Sequence, residues 1–236
     1  MTTETSQKKT VLIVGASRGL GMALAAEYLR RGWHVIATIR QATGSAEFQA
    51  LQATASAALE VLHLEMTSSA QIDALGRRLE GRAIDLLFVN AGIANGPAER
   101  VCDASTEEFV RLMVTNTLGP LRVIERLVER VVRGGSVAVM SSGLGSVTNN
   151  TNGGWEVYRA SKAALNTLMR SFAARHADDG RTYLVIAPGW VRTDMGGPNA
   201  FLDIETGIPG VVDAIAQRSG AGGVTYVNYQ NQILPW

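Results

Sequence analysis

Val11-Leu12-Ile13-Val14-Gly15-Ala16-Ser17-Arg18-Gly19-Leu20-Gly21 reads as an apolar strand, a glycine-rich turn and the start of a helix. Its three glycines let the backbone turn tightly and approach a pyrophosphate with no Cβ in the way. The helix that follows offers free N–H groups and a partial positive charge to the phosphates. The spacing is GxxxGxG rather than the GxGxxG of many dinucleotide-binding folds.

Outward from this stretch, short β-branched runs alternate with longer amphipathic ones. Strands are expected over 10–14, 34–39, 59–64, 84–89, 136–140 and 182–187, with a weaker one over 224–227. Runs such as VLIV, DLLFV and SVAVM are continuously apolar, the mark of parallel strands buried on both faces. Helical patterns cover 20–31, stopping at Gly32, and 68–79, opening on Ser and Thr and ending before Gly81. The two longest run over 106–133 and 155–176. Regular alternation of this kind predicts an α/β fold with a doubly wound parallel sheet of about seven strands and helices on both faces. No linker, charge block or repeat divides the chain, so a polar segment over 1–9 and one domain over 10–236 are expected.

The same glycine loop carries a rival motif. Gly15 to Gly19 also spells GxSxG, the strand–turn–helix elbow that presents the nucleophile of α/β-hydrolases. An elbow follows several strands, whereas only one precedes Ser17. A hydrolase also needs a catalytic histidine, and His34 opens a strand, His63 lies inside one and His176 ends a helix.

Composition narrows the classes further. A chain of 236 residues with net charge +1 lacks the basic footprint that nucleic acid demands. No run of about 18 apolar residues suggests a membrane span. A single cysteine, Cys102, excludes an intrachain disulfide and a cysteine-built metal site. A cytoplasmic protein with no metal, nucleic-acid or membrane partner is the expectation.

Four further segments fall in order after successive strands or at the head of a helix: Asn90-Ala91-Gly92, Ser141-Ser142, Tyr158-Arg159-Ala160-Ser161-Lys162 and Pro188-Gly189. Together with the glycine loop they resemble the classical short-chain dehydrogenase/reductase family over roughly residues 10–227. SSGLGS, YRASKAALN, PGWVRTDMGG and ILPW are similar to the branch holding sniffer-type carbonyl reductases and bacterial C-factor proteins.

The chemistry expected at these residues begins with Tyr158 and Lys162, which are four apart on a helix and so share a face. A free phenol has a pKa of about 10 and is a poor base near neutrality. Lowering it by about three units takes roughly 4 kcal/mol of interaction favouring the phenolate. A neighbouring ammonium and an oxidised nicotinamide would together supply that. Tyr158 would then protonate the nascent alkoxide as hydride arrives. The resemblance implies that Lys162 also holds the nicotinamide ribose and that Asn116, in VTNTLGP, joins a water-linked relay to Lys162. A satisfied interior amide is the plainer account of Asn116. Ser142 would hydrogen-bond the substrate oxygen. It precedes Tyr158 by sixteen residues where the family commonly has thirteen, and Gly145 stands at thirteen. A short insertion over 149–154 accounts for the excess, and Ser141 and Ser146 are rivals.

The resemblance assigns the cofactor to Gly15, Ser17, Arg18, Gly19, Leu20, Gly21, Arg40, Glu65, Met66, Asn90, Ala91, Gly92, Tyr158, Lys162, Pro188, Gly189, Val191 and Thr193. An acid closing the second strand would bind the ribose hydroxyls of NAD, but Ile39 stands there with Arg40 behind it. A guanidinium pairs bidentately with a phosphate, so Arg40, helped by Arg18, points to NADP(H) rather than NAD(H).

The segment 196–208, with Phe201 and Leu202, would cover the substrate, and Trp155, Trp190 and Met195 would add apolar wall. The expected activity is hydride transfer between NADP(H) and an apolar or aromatic carbonyl compound or secondary alcohol, in a homodimer or homotetramer. An NADP(H)-sensing regulatory protein on the same fold is the alternative, since fold does not fix function.

Overall fold

Along β1 (Thr10–Val14) successive side chains leave opposite faces of the strand. Val11 and Ile13 enter one hydrophobic core, Leu12 and Val14 the other. The same division runs through β4 (Ile84–Val89), whose Leu86 and Phe88 join the first core and Leu87 and Val89 the second. A strand buried on both faces has no room for polar alternation, which is why these runs are continuously apolar.

The computed structural model describes residues 8–96 and 100–236. Seven parallel strands form one sheet in the order β3-β2-β1-β4-β5-β6-β7. The remaining strands are β2 (His34–Ile39), β3 (Leu59–His63), β5 (Val131–Met140), β6 (Thr182–Ala187) and β7 (Gly223–Asn228). The doubly wound fold expected from the sequence is the fold observed. Because β2 and β4 flank β1 on opposite sides, the loops leaving β1 and β4 diverge and open a crevice at the strands' carboxyl ends.

Helices α1 (Gly19–Arg30), α2 (Ala46–Ala55) and α7 (Ile204–Arg218) contribute to the core that holds Val11 and Ile13. Helices α3 (Ser69–Arg78), α5 (Gly119–Leu127) and α6 (Glu156–Arg175) contribute to the other. The segment α2 was not expected, since Phe48 is its one buried residue and leaves little apolar periodicity to read. Of the expected polar segment 1–9, residues 1–7 lie outside the described residues. Lys9 already belongs to the fold, its carbonyl accepting the His34 N–H at 2.9 Å.

The long helix expected over 106–133 is broken. It resolves into α4 (Thr106–Met113), a π turn (Val114–Leu118), α5 and a short 3-10 turn (Val128–Arg130), after which β5 begins at Val131. Pro120 explains the π turn: it has no N–H for the Asn116 carbonyl, and its ring would crowd that oxygen in an α-helix. The chain widens instead, and the Gly119 N–H reaches back to the Val114 carbonyl. The strand gains residues 131–135 because Val131 pairs with Ile84 before a register shift resets the ladder at Leu86 and Ser136. The expected cover over 196–208 likewise shortens, because Asp203 caps α7 through the Thr206 N–H at 2.8 Å and starts the helix at Ile204.

Candidate active site

The glycine loop is held from two sides. The Gly15 N–H donates to Thr38 Oγ1 (3.1 Å) and the Ala16 N–H to the Thr38 carbonyl (2.8 Å). Asn90 Nδ2 donates to the Gly15 carbonyl at 2.8 Å, tying the loop after β4 to the loop after β1. Close approach makes two glycines obligatory. A Cβ on Gly21 would fall 2.0 Å from the Gly15 oxygen, and one on Gly15 would fall 2.6 Å from Ala91 Cβ, at a φ of +88°. Gly19 differs, since a Cβ there would meet nothing within 4 Å. It faces open space where α1 begins.

That helix end has no side-chain cap and no acid in its first turn. By contrast, Ser45, Ser68, Ser105 and Asp203 cap α2, α3, α4 and α7. Exposed N–H groups with an unopposed partial positive charge suit a phosphate. The chain therefore has a place for the pyrophosphate of a dinucleotide.

Deeper in the crevice, α6 brings Tyr158 and Lys162 to the carboxyl end of β5. Both side chains are buried. Lys162 Nζ donates to the Met140 carbonyl at 2.9 Å and lies 5.8 Å from the Tyr158 ring centroid. Burial pushes the Tyr158 hydroxyl up to about 12, against a hydrogen bond from the Ser142 side chain that lowers it. Burial also draws the Lys162 ammonium down to about 8. The sequence pointed to a lowered Tyr158. Within the chain by itself desolvation dominates, because a phenolate there has lost its water.

The three serines separate by their partners. Ser141 Oγ donates to Asn166 Oδ1 at 2.7 Å, and Ser146 Oγ donates to the Pro235 carbonyl at 2.7 Å. Ser142 is the one whose side chain meets Tyr158. Gly145 is pressed against α6, where a Cβ would lie 3.0 Å from Asn166 Nδ2 and 3.1 Å from Lys162 Cβ. A serine thirteen residues before Tyr158 would be a tight fit, and these neighbours would have to give by a few tenths of an ångström to admit it.

Asn116 is fully buried in the π turn. Its Oδ1 accepts the Ile93 N–H (2.9 Å), and its Nδ2 donates to the Ile93 carbonyl (2.8 Å) and to Ser161 Oγ (3.0 Å). The side chain thus clamps the loop after β4 to α6, as a satisfied interior amide does. A Cβ on Gly92 would stand 3.3 Å from both Asn116 Oδ1 and Lys162 Nζ, so that glycine leaves room over the pair.

The pattern of the short chain dehydrogenase family matches residues 9–200. The chain is a short-chain dehydrogenase. It is 35% identical over 155 residues to the C-signal of Myxococcus xanthus, covering 65% of this chain and 93% of that protein. A putative short-chain dehydrogenase/reductase from Burkholderia multivorans, solved with bound NADP, superposes with a TM-score of 0.95 at 47% identity over 98% of this chain and all of the other. The carbonyl reductase Sniffer of D. melanogaster gives 0.84 at 27% identity, again over 98% and 100%. The resemblance to the family and to this branch therefore holds. The chain is an oxidoreductase acting on CH–OH and C=O groups by hydride transfer.

Other expected residues of the dehydrogenase fall unevenly around the crevice. Arg18 and Arg40 are both exposed. Arg18 pairs with Asp194 on the loop after β6, and Arg40 Nη1 lies 3.8 Å from Glu65 Oε2. Glu65 Oε1 accepts from the Thr67 N–H (3.1 Å) and hydroxyl (2.9 Å). Met66 and Val191 turn their side chains into the interior, so the groove is left only their backbone. Leu20 and Ala91 are half-buried. Pro188 and Gly189 follow β6 directly, with Gly189 at a φ of +87°. Thr193 Oγ1 accepts the Gly196 N–H at 3.1 Å and so shapes its own loop.

Of the expected apolar wall, Trp190, Met195 and Phe201 are exposed, with the Trp190 and Phe201 rings 6.4 Å apart. Trp155 meets Tyr158 edge-on at 5.9 Å. Leu202 turns inward instead, 3.0 Å from where a Gly189 Cβ would be, and is no part of the wall.

Sequence reasoning missed Thr38, Asn166 and Arg159. Thr38 breaks the apolar run of β2, and Asn166 lies four residues beyond Lys162 on the same helical face. Each was a readable signal. Arg159, beside Tyr158, gave none.

Proposed function

We propose that this dehydrogenase is an NADP(H)-dependent reductase of apolar or aromatic carbonyl compounds, running in reverse on secondary alcohols, with Tyr158 as proton donor and acceptor. The observation that carries the reading is the meeting of Ser142, Tyr158 and Lys162 at the end of β5, beside an uncapped glycine loop. Bound NADPH would supply the hydride. Gly15, Ser17, Gly19, Leu20 and Gly21 would hold its phosphates, while Asn90, Ala91, Gly92, Pro188, Gly189, Val191 and Thr193 would line the rest of the groove.

Ser142 would donate a hydrogen bond to the substrate oxygen and Tyr158 would pass it a proton. A phenol kept protonated at neutral pH is suited to that donation. The Lys162 ammonium, within 6 Å of the ring, would then stabilise the phenolate left behind. Ile39 in place of an acid at the end of β2, with Arg40 next to it, supports a 2′-phosphate on the cofactor. The bound NADP of the Burkholderia multivorans relative supports the same choice. Trp155 against Tyr158 and the exposed Trp190, Met195 and Phe201 support an apolar substrate.

The test is NADPH consumption on a panel of aldehydes, ketones and quinones, with Tyr158→Phe beside the unaltered protein. Turnover that falls by about 10²–10⁴-fold in Tyr158→Phe is expected; undiminished turnover would overturn the assignment. The likeness to C-signal favours a second reading, a protein that senses NADP(H). Tight NADPH binding with silence across the panel would select it.

A further inference from the structure

We infer that Tyr226, together with segment 233–236, is a positioning brace for Ser142, a role that rests on the reading of Ser142 as the group facing the substrate oxygen. Residues 142–148 follow β5, and the first of them form a single 3-10 turn (Gly143–Gly145). A hydroxyl that must meet developing charge gains most from being fixed before the substrate arrives. One turn of 3-10 helix has poor hydrogen-bond geometry and little rigidity of its own.

The rigidity is imported from residues 84–90 positions away. Beyond β7 the chain turns back on itself. Val227 bridges Ile233 in antiparallel fashion, and the Leu234 N–H donates to the Tyr226 carbonyl at 2.8 Å. This return carries 235 and 236 to the Ser142 loop. There Ser146 Oγ donates to the Pro235 carbonyl (2.7 Å) and the Trp236 carbonyl oxygen (3.2 Å). The Trp236 oxygen also accepts the N–H groups of Val147 (2.8 Å) and Thr148 (3.3 Å).

Tyr226 completes the brace from below. It is fully buried, and its hydroxyl donates to the backbone carbonyl of Ser142 itself. Its ring lies 5.4 Å from the Trp236 ring, which is covered on α6 by the Arg170 guanidinium at 4.8 Å. Asn166 holds the near side of the loop through the Ser141 hydroxyl and the Gly145 carbonyl. Ser142 Oγ is thus left to accept the Leu144 N–H at 3.2 Å and to face Tyr158. The Tyr226 hydroxyl also meets the Asn166 side chain and feels the Tyr158 hydroxyl electrostatically, but it reaches Ser142 through the backbone carbonyl.

The test is Tyr226→Phe, which removes one hydroxyl and keeps the ring, made alone and on a Ser142→Ala background. Alone, kcat on the best panel substrate should fall about tenfold with the NADPH dissociation constant unchanged. On the Ser142→Ala background it should cost no further activity. Equal losses in both backgrounds, or none in either, would overturn the inference. A second measurement, amide hydrogen exchange, makes no use of turnover. Exchange at Leu144, Val147 and Thr148 should speed up in Tyr226→Phe and in Trp236→Ala, and unchanged protection there would also overturn it. Absence of turnover in the unaltered protein would defeat the reductase reading alone, since exchange still reports the brace.

Discussion

Lys162 combines two demands that oppose each other. Its ammonium is buried, with the Met140 carbonyl as its hydrogen-bond partner, and burial draws its pKa from 10.5 to about 8. The unfolded chain therefore binds more protons than the folded one between about pH 8 and 10.5, so stability rises with pH across that window. Below pH 8 the cost of the buried charge is present in full. Lys162→Met keeps the volume and removes the charge. It should raise the melting temperature of the cofactor-free protein at pH 7 while abolishing turnover, and the gap should close as pH climbs from 8 to 10.5. Thermal melts of both proteins across that range decide it; a less stable Lys162→Met with a gap indifferent to pH would refute the argument. Tyr158 carries the opposite sign, since a phenol held near 12 makes stability fall as pH rises from 10 to 12. Spacing alone placed these two side chains on one helical face. Their burial depended on the strands beneath them.

At the scale of the element, the head of α6 shows how a local irregularity is held. Gly153, Gly154 and Trp155 take positive φ in succession, at +64°, +70° and +55°. The first two tolerate this for lack of a Cβ, but Trp155 does not, and its strained backbone needs support from its surroundings. Arg159 provides that support. It is buried, and it donates to the Gly154 carbonyl (2.8 Å), the Gly153 carbonyl (3.1 Å) and Asn152 Oδ1 (3.2 Å). The expected insertion over 149–154 is thus tied down at its far end, and Trp155 is set edge-on to Tyr158. Arg159→Ala should cost about 2 kcal/mol, a fall of roughly 4–8 °C in melting temperature for a chain of this size. It should also raise KM for an aromatic carbonyl more than it lowers kcat. Steady-state kinetics with a small and a bulky substrate test this, and equal effects on both substrates would count against Trp155 as wall. Glycines at 153 and 154 were visible in the sequence, but their handedness and the guanidinium that secures it were not.

For the whole molecule, the crevice is assembled from loops that belong to different parts of the sheet. The loops after β1 and β4 are joined by Asn90, and Arg18 reaches the loop after β6 across 176 residues of sequence. A ligand that bridges these loops stabilises the fold by mass action, about 2.7 kcal/mol at a hundred times its dissociation constant. NADPH at that level should raise the melting temperature by roughly 5–11 °C, and NADH at equal concentration by clearly less. Equal shifts would remove the case for a 2′-phosphate contact at Arg40. Arg18 and Arg40 lie on separate partners, Asp194 and Glu65, so binding a phosphate between them requires both exposed pairs to yield. Exposed pairs of this kind contribute little and yield readily.

The sequence by itself determined the strands, the glycine loop and the shared face of Tyr158 and Lys162. Each depends on interactions within a few residues, where periodicity and backbone sterics act directly. Its readings went astray where a local signal was weak or opposed. Pro120 broke a helix that the apolar pattern alone continued, and Val131 was drawn into β5 by its pairing with Ile84. Only the tertiary structure gave Ser141, Ser142 and Ser146 their different partners, turned Leu202 inward and brought Tyr226 beneath Ser142. These outcomes join residues up to 90 positions apart. Which of them meet is fixed by the order of strands in the sheet, and no neighbouring residue records that order.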